Sequence, residues 1–236
     1  LYKKIIGSSI KIYPLLIIIS GFSAIIILST VTSFYSGIVA IMFGLLASFI
    51  IFIFGRRAAL LSILLTAAVS LVLPFGFNVS QSPISQINSV IDLPTSAEHR
   101  IGIWKFTSDK VLENPILGWG MNASKNIPGG KSYLFSEDGA QYGRALPLHP
   151  HNVLLQIWLE LGLIGIVLFV TLCVFIIMIS VNRLSLRFES AMMFGQFITI
   201  LGISNLSFGM WQAWWLAAIW LSISFTSLVS SKLEDD

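Results

Sequence analysis

The sequence predicts an all-α polytopic membrane protein of six transmembrane helices with one long external loop. Three observations carry that expectation. Of 236 residues, 56% are hydrophobic and only 11% charged, against about 25% charged in an ordinary soluble domain. The mean hydropathy is +0.87. Finally, the apolar residues gather in runs near the ~20 residues needed to cross about 30 Å of hydrocarbon.

Those runs are residues 12–30, 37–55, 58–76, 152–181, 191–208 and 211–230. The chain thus divides into three spans (1–76), a polar segment (77–150), and three further spans with a tail (151–236). It opens on Leu1 with no signal-peptide pattern, so further helices are expected upstream. Cys173 is the sole cysteine and lies in an apolar run, which leaves neither a disulfide framework nor a thiolate metal site.

Charge placement gives an orientation. Lys3, Lys4 and Lys11 precede the first span, Arg56 and Arg57 separate the second from the third, Arg183 and Arg187 the fourth from the fifth, and Lys232 follows the sixth. Six spans bring all of these to one side, which is cytoplasmic by the positive-inside rule. The 77–150 segment then faces outward. Its basic residues (Arg100, Lys105, Lys110, Lys125, Lys131, Arg144) are balanced by Asp92, Glu98, Asp109, Glu113, Glu137 and Asp138. The basic pI of about 9.1 is therefore a topology signal and gives no support to nucleic-acid binding.

A connection of this length is usually functional or disordered, and this one has too many aromatic residues for disorder. It carries six of the eight prolines, and the three histidines lie in it or at its end. "EHRIGIWKFTSDKVLENPILGWG" places Ile101, Trp104, Val111 and Leu112 among polar residues. It predicts a short amphipathic helix ended by Pro115, lying along the membrane surface with Trp104 and Trp119 at headgroup level. "NIPGGKSYLFSEDGAQYGR" reads as irregular.

The fourth span follows "LHPH". Asn152 is a good N-cap, and Asn152, Gln156 and Glu160 recur every four residues along one helix face. A single 30-residue helix would be about 45 Å long, so its first turns stand above the hydrocarbon. A carboxylate at Glu160 is costly there without a partner or a wet cavity, so the stripe predicts an outward-opening polar pocket. His151, at its mouth, has a near-neutral pKa suited to accepting a hydroxyl proton. Arg100 and the helix N-terminus suit a phosphate or diphosphate. Plainer roles stand beside these. A histidine next to proline serves as a structural hydrogen-bonder, Arg100 as a snorkelling residue, Glu160 as a partner of another helix, and Gly162 and Gly165 as helix-packing sites.

His151-Asn152, nine residues and Gly162-Leu-Ile-Gly165 resemble the His-Asn…Gly-x-x-Gly signature of the O-antigen ligase and polymerase superfamily. "RIGIWKFTSDKVLENPILGWG" resembles the Arg, Trp and "ENPxxGxG" segment ahead of that histidine. "GRRAALLSILL" is similar to the start of the shared domain, with Gly55-Arg56 replacing its usual small polar residue. The resemblance covers roughly residues 40–170. It implies a GT-C-like membrane glycosyltransferase of the bacterial inner membrane, of which this chain is the C-terminal half, active on the periplasmic face without metal or other cofactor. The implied donor is a glycan on undecaprenyl diphosphate; the acceptor is a sugar hydroxyl of lipid A–core, or another lipid-linked repeat for a polymerase. A protein O-glycosyltransferase and a lipid-linked sugar transporter are the remaining alternatives. The resemblance maps the family's catalytic histidine onto His151 and its diphosphate-binding arginine onto Arg100. Asn152, Gln156, Glu160, Trp104, His149 and Arg144 are candidate substrate-binding residues. A further family arginine has no secure match; Arg57 fits by motif but falls on the cytoplasmic side. No oligomeric state follows from the sequence.

Overall fold

The computed structural model describes residues 35–78, 94–135, 139, 141–182 and 187–234; the expected first span, 12–30, lies outside them. The elements run α1 (Tyr35–Phe54), α2 (Arg56–Asn78), α3 (Thr95–Glu113), a 3-10 turn (Ala123–Asn126), β1 (Tyr133–Phe135), β2 (Gln141–Arg144), α4 (Val153–Asn182), α5 (Arg187–Leu206) and α6 (Ala213–Glu234). Among the described residues, three helices are long and apolar enough to cross a membrane: α1, Arg56–Phe77 of α2 and Val153–Ile179 of α4. Ser190–Leu206 and Ala213–Thr226 are shorter apolar helices. Phe43, Phe54, Leu61, Leu64, Leu168 and Phe175 are exposed on the three long helices, a belt suited to lipid rather than water.

Small residues set the closest helix contact. Gly37, Ala40 and Gly44 are buried on one face of α1, which crosses α5. A Cβ on Gly44 would stand 2.7 Å from the Gly195 carbonyl oxygen, and one on Gly195 would stand 2.7 Å from that of Gly44. Backbones therefore meet directly, the arrangement favoured where hydrocarbon supplies no hydrophobic drive. At the upper end of this crossing the Ser36 and Ser207 hydroxyls are 2.5 Å apart. At the lower end Ile51, Ala59, Ile177, Ala191 and Phe194 form one apolar cluster.

The α1–α2 hairpin turns at Gly55, whose φ is +53°. In α2, Pro74 provides no N–H for the Ser70 carbonyl four residues earlier. The Trp158 indole N–H of α4 donates to that carbonyl at 2.7 Å, so a buried orphan acceptor is satisfied from a neighbouring helix.

The single long helix expected over 152–181 is instead two. Gly162, at φ +62° and ψ −156°, occupies a backbone region open essentially to glycine alone. In a continuous helix the Leu159 and Glu160 carbonyls would accept from the Leu163 and Ile164 N–H groups. Here the loop after α3 takes all four groups. Trp119 N–H donates to Leu159 O at 2.8 Å, and Gly120 N–H to Glu160 O at 2.9 Å. Leu163 N–H donates to Pro115 O at 2.8 Å, and Ile164 N–H to Ile116 O at 3.4 Å. Residues 152–160 are buried without interruption, whereas Leu163, Ile164, Val167 and Leu168 beyond the break are exposed. The portion 163–182 alone is long enough, at about 30 Å, to cross the hydrocarbon.

Two further expectations change. Within "NIPGGKSYLFSEDGAQYGR", β1 and β2 form an antiparallel pair with Leu134 opposite Gly143, so the fold carries a small hairpin beside its helices. Tyr133, Leu134 and Phe135 are strand formers, and Gly143 (φ +149°) makes room for His99, whose ring would stand 2.6 Å from a Cβ there. Trp104 of α3 and Trp119 of the loop after it, moreover, are half-buried against protein. Their indoles donate to Pro150 O at 2.9 Å and to Lys110 O at 2.8 Å.

Candidate functional site

The "HPH" segment turns sharply into α4. His151 has φ +53°, a left-handed conformation uncommon outside glycine and enriched in Asn, Asp and His. The turn frees Asn152 to cap the helix: its side-chain oxygen accepts the Leu155 N–H at 3.0 Å, and its carbonyl accepts the Gln156 N–H at 2.9 Å. Asn152 is buried with its oxygen committed to this cap.

The His151 ring is fixed by backbone. Its Nδ1 lies 2.7 Å from the Ser207 carbonyl oxygen; a carbonyl only accepts, so Nδ1 carries the proton and donates. In the neutral ring Nε2 is then left with its lone pair. Burial lowers the pKa of His151; the Ser207 carbonyl opposes this by favouring the cation, while Arg100 and His99 reinforce it by repulsion. The neutral form, a proton acceptor, is thereby favoured to lower pH than in a free histidine.

His149 supports this ring. It is buried, its ring centroid is 4.3 Å from that of His151, and its Nδ1 accepts the His151 backbone N–H at 3.2 Å. The Gln212 side-chain amide stands 3.4 Å from its other ring nitrogen. Burial, with repulsion from His151, pushes its pKa down to about 4. Gly209 lies under the ring: a Cβ there would stand 2.8 Å from two ring carbons.

Arg100 comes from α3, close enough to His151 to oppose its protonation. Burial lowers its own pKa, and among the described residues no carboxylate pairs with it; the ion pairs there are Lys105–Asp109 and Lys110–Glu113. A half-buried guanidinium with no carboxylate partner among the described residues, beside a histidine held toward its neutral form, makes this region electropositive and suited to an anion. His99, also near His151, has its Nε2 3.0 Å from the Arg144 carbonyl oxygen. The Arg144 residue itself is exposed on β2. Trp104 holds α3 to the histidine turn through Pro150 and packs on Phe77, ring centroids 5.6 Å apart.

The Gln156–Glu160 stripe exists, but not as the wall of a wet pocket. Glu160 has no exposed surface and is surrounded by protein donors. Its Oε1 accepts from Gln156 Nε2 at 3.2 Å, from Ser124 N–H at 3.4 Å and from the Ser124 hydroxyl. Its Oε2 accepts from Asn122 N–H at 2.7 Å and from the Trp211 indole. Gln156 is likewise buried, its Oε1 accepting the Met210 N–H at 2.8 Å. The carboxylate is offset by hydrogen bonds rather than by solvent, which is how a charge at this depth is tolerated.

Ser207, Met210, Trp211 and Gln212 on the α5–α6 turn, and Asn122 and Ser124 before the hairpin, take part in this arrangement without having been singled out in the sequence. Most act through backbone groups, which leave no residue-type signal; "GMWQAWW" was legible only as the start of an apolar run. Gly162 and Gly165 pack against the 116–118 loop and against Leu161 and Ile157 of their own helix, rather than between helices. Arg56 and Arg57 begin α2. Tyr35 at the far end of α1 adjoins Ser36, which touches the Ser207 that holds His151. The 20 residues of α1 thus separate the two arginines from the site by about 30 Å.

A helical bundle with three helices of membrane-spanning length among the described residues, bringing His151 before α4 beside Arg100 of α3, defines a class, and comparison with known proteins gives the family. Residues 15–170 match the family model described as O-antigen ligase, well over half of the chain. This chain belongs to the O-antigen ligase family. It is 39% identical over 142 residues to a protein of Rickettsia conorii named "Putative polysaccharide ligase", covering 60% of this chain and 34% of that protein. Proteins of the same name from Rickettsia felis and Rickettsia prowazekii are each 37% identical over 142 residues, again 60% of this chain, and 34% and 35% of their own lengths. The chain thus spans about a third of the length of the curated relatives it matches. No solved structure matches it.

Proposed function

We propose that this chain carries the acceptor-activating half of a membrane glycosyltransferase, which moves a glycan from undecaprenyl diphosphate to a sugar hydroxyl of lipid A–core at the periplasmic face. One observation carries the reading: His151 is held as the Nδ1–H tautomer, its Nε2 free, beside an Arg100 that no described carboxylate neutralises. The acceptor hydroxyl gives its proton to Nε2 as its oxygen attacks the anomeric carbon. The bond from that carbon to the phosphate oxygen breaks, and its electron pair leaves with the diphosphate. Arg100 offsets the charge that gathers there. The family match and the polysaccharide ligase relatives support transfer of a glycan as the reaction class.

The test uses the full-length protein, purified in lipid, with a polyprenyl-diphosphate-linked glycan donor. His151→Ala is expected to slow transfer by about 10²-fold or more, the usual worth of a general base. Arg100→Ala should do the same while the protein still inserts and folds. Near-wild-type transfer by either variant overturns the assignment, and donor binding without turnover by the parent protein would make it a transporter. In cells, deletion should leave bare lipopolysaccharide core if the acceptor is core. Core capped with a single repeat would make the enzyme a polymerase instead, and loss of glycoproteins alone a protein O-glycosyltransferase.

A further inference from the structure

The polar stripe Asn152, Gln156 and Glu160 is buried, and every member is committed to a protein partner. Asn152 caps the helix behind His151, while Gln156 and Glu160 hold the turn between α5 and α6. Gln156 takes the Met210 N–H at 2.8 Å, and Glu160 takes the Trp211 indole. That turn begins with Ser207, whose carbonyl receives the His151 Nδ1 proton at 2.7 Å. It continues through Gly209, on which the His149 ring rests, and closes on itself where Gly209 N–H donates to the Gln212 side-chain oxygen at 3.2 Å. Through Asn122 and Ser124 the same carboxylate also fixes the loop that replaces two α4 hydrogen bonds at Gly162.

We propose that Glu160 is a positioning residue: through Trp211, and with Gln156 on Met210, it sets the place of the Ser207 carbonyl and thereby fixes which nitrogen of His151 carries the proton. This rests on the reading of His151 as the base. The function lies in the geometry. A histidine that acts as a base must present an unprotonated nitrogen to the hydroxyl, and a partner on the opposite nitrogen decides which one that is. Where the orienting partner is wrong, the unfavourable tautomer costs about 10⁴ in kcat in the well-studied serine-protease case. Here the partner is a carbonyl on a turn without a charged residue, so it depends on what anchors the turn. Both anchors descend from one helix face.

Among the described residues, the charged and titratable groups around His151 are Arg100 and His99 on α3 and His149 on its own segment; residues 207–212 contribute none. The Ser207 bond raises the His151 pKa, whereas Arg100 lowers it. Loosening the turn therefore shifts the acid limb of kcat to lower pH, and removing Arg100 shifts it to higher pH. A purely structural Glu160 would move neither limb in the molecules that remain folded.

The experiment measures kcat, KM for donor and the pH dependence of kcat for Glu160→Gln and Trp211→Phe in the full-length protein in lipid. In Glu160→Gln an amide NH₂ meets donors on one side. Trp211→Phe removes one donor and keeps an aromatic ring, so it preserves the fold if Glu160→Gln does not. Expected are a roughly tenfold to hundredfold fall in kcat, in line with other supporting-shell losses, and a donor KM within about threefold of wild type. The acid limb should move down in pH. Nitrogen-15 NMR of the histidine rings should show a mixture of His151 tautomers where the parent shows Nδ1–H alone. Unchanged kcat, limb and tautomer in a folded variant overturn the inference. If His151→Ala also remains active, the general-base reading itself has failed; if His151→Ala is inactive, only the positioning role has.

Discussion

Arg100 and the Ser207 carbonyl act on His151 with opposite signs, and together they define its working range. Burial and the arginine hold the ring neutral, and the carbonyl moderates that depression. A base works when unprotonated, so activity should persist to lower pH than a free histidine base would allow, and decline beyond that. Arg100→Gln should move that decline upward in pH, besides slowing transfer; a pH–rate profile of the variant checks both. His149 makes a separate statement about stability. Its folded pKa of about 4 lies below its unfolded value of about 6.5. The unfolded chain therefore binds the extra proton first, and the contribution is complete above pH 6.5 and lost as pH falls toward 4. The loss is on the order of 3 kcal/mol for a fully depressed group. Thermal unfolding between pH 7 and pH 4 should show it, with a shallower fall in His149→Asn.

At the level of elements, the break in α4 is the feature most open to a direct test. Gly118 and Gly162 interlock: a Cβ on Gly118 would lie 2.5 Å from the Glu160 carbonyl carbon, and one on Gly162 2.3 Å from the Ile116 oxygen. Gly162→Ala adds a positive-φ penalty of about 1–2 kcal/mol to a backbone collision that cannot relax without opening the loop. It should lower the unfolding temperature far more than Gly76→Ala on α2, where a Cβ meets nothing within 4 Å; parallel melts of the two variants decide. Much of this region was legible in the sequence. The four-residue spacing gave Asn152, Gln156 and Glu160 a common face, and Pro115 with "GWG" gave the end of α3. What that face touches was not legible. Trp211 lies 51 residues from Glu160 and Ser124 lies 36, separations across which periodicity says nothing. Glycine inside an apolar run has the same composition whether it packs a helix or breaks one, so the break at Gly162 left no separate signal. The hairpin was passed over because its two strands are only three and four residues long.

Across the whole molecule, the α1–α2 hairpin places Arg56 and Arg57 at one end and the histidine turn at the other. If the site faces outward, a membrane-impermeant maleimide added to intact cells should label Lys131→Cys, on the exposed loop. It should reach Arg57→Cys only after permeabilisation. Cys173 is buried in α4 and should stay silent. Labelling of both positions from outside would reverse the orientation or change the number of crossings. The small-residue seam between α1 and α5 belongs to this scale as well. It joins the part of the chain before the loop to the part after it, so the loop is held at both ends by one packed unit.

The interlock of Gly118 with Gly162 also limits how such proteins can be recombined. The loop after α3 and the first turns of α4 share backbone hydrogen bonds, a buried carboxylate and two glycines whose missing Cβ atoms leave room for the facing backbone. A chimera that imports the loop alone would bring the wrong edge to a broken helix, whereas a crossover placed beyond residue 165 would carry both halves of the joint. If the chain transfers a glycan as proposed, the natural cassette for transplanting its preferences therefore ends inside α4, not at the end of the loop.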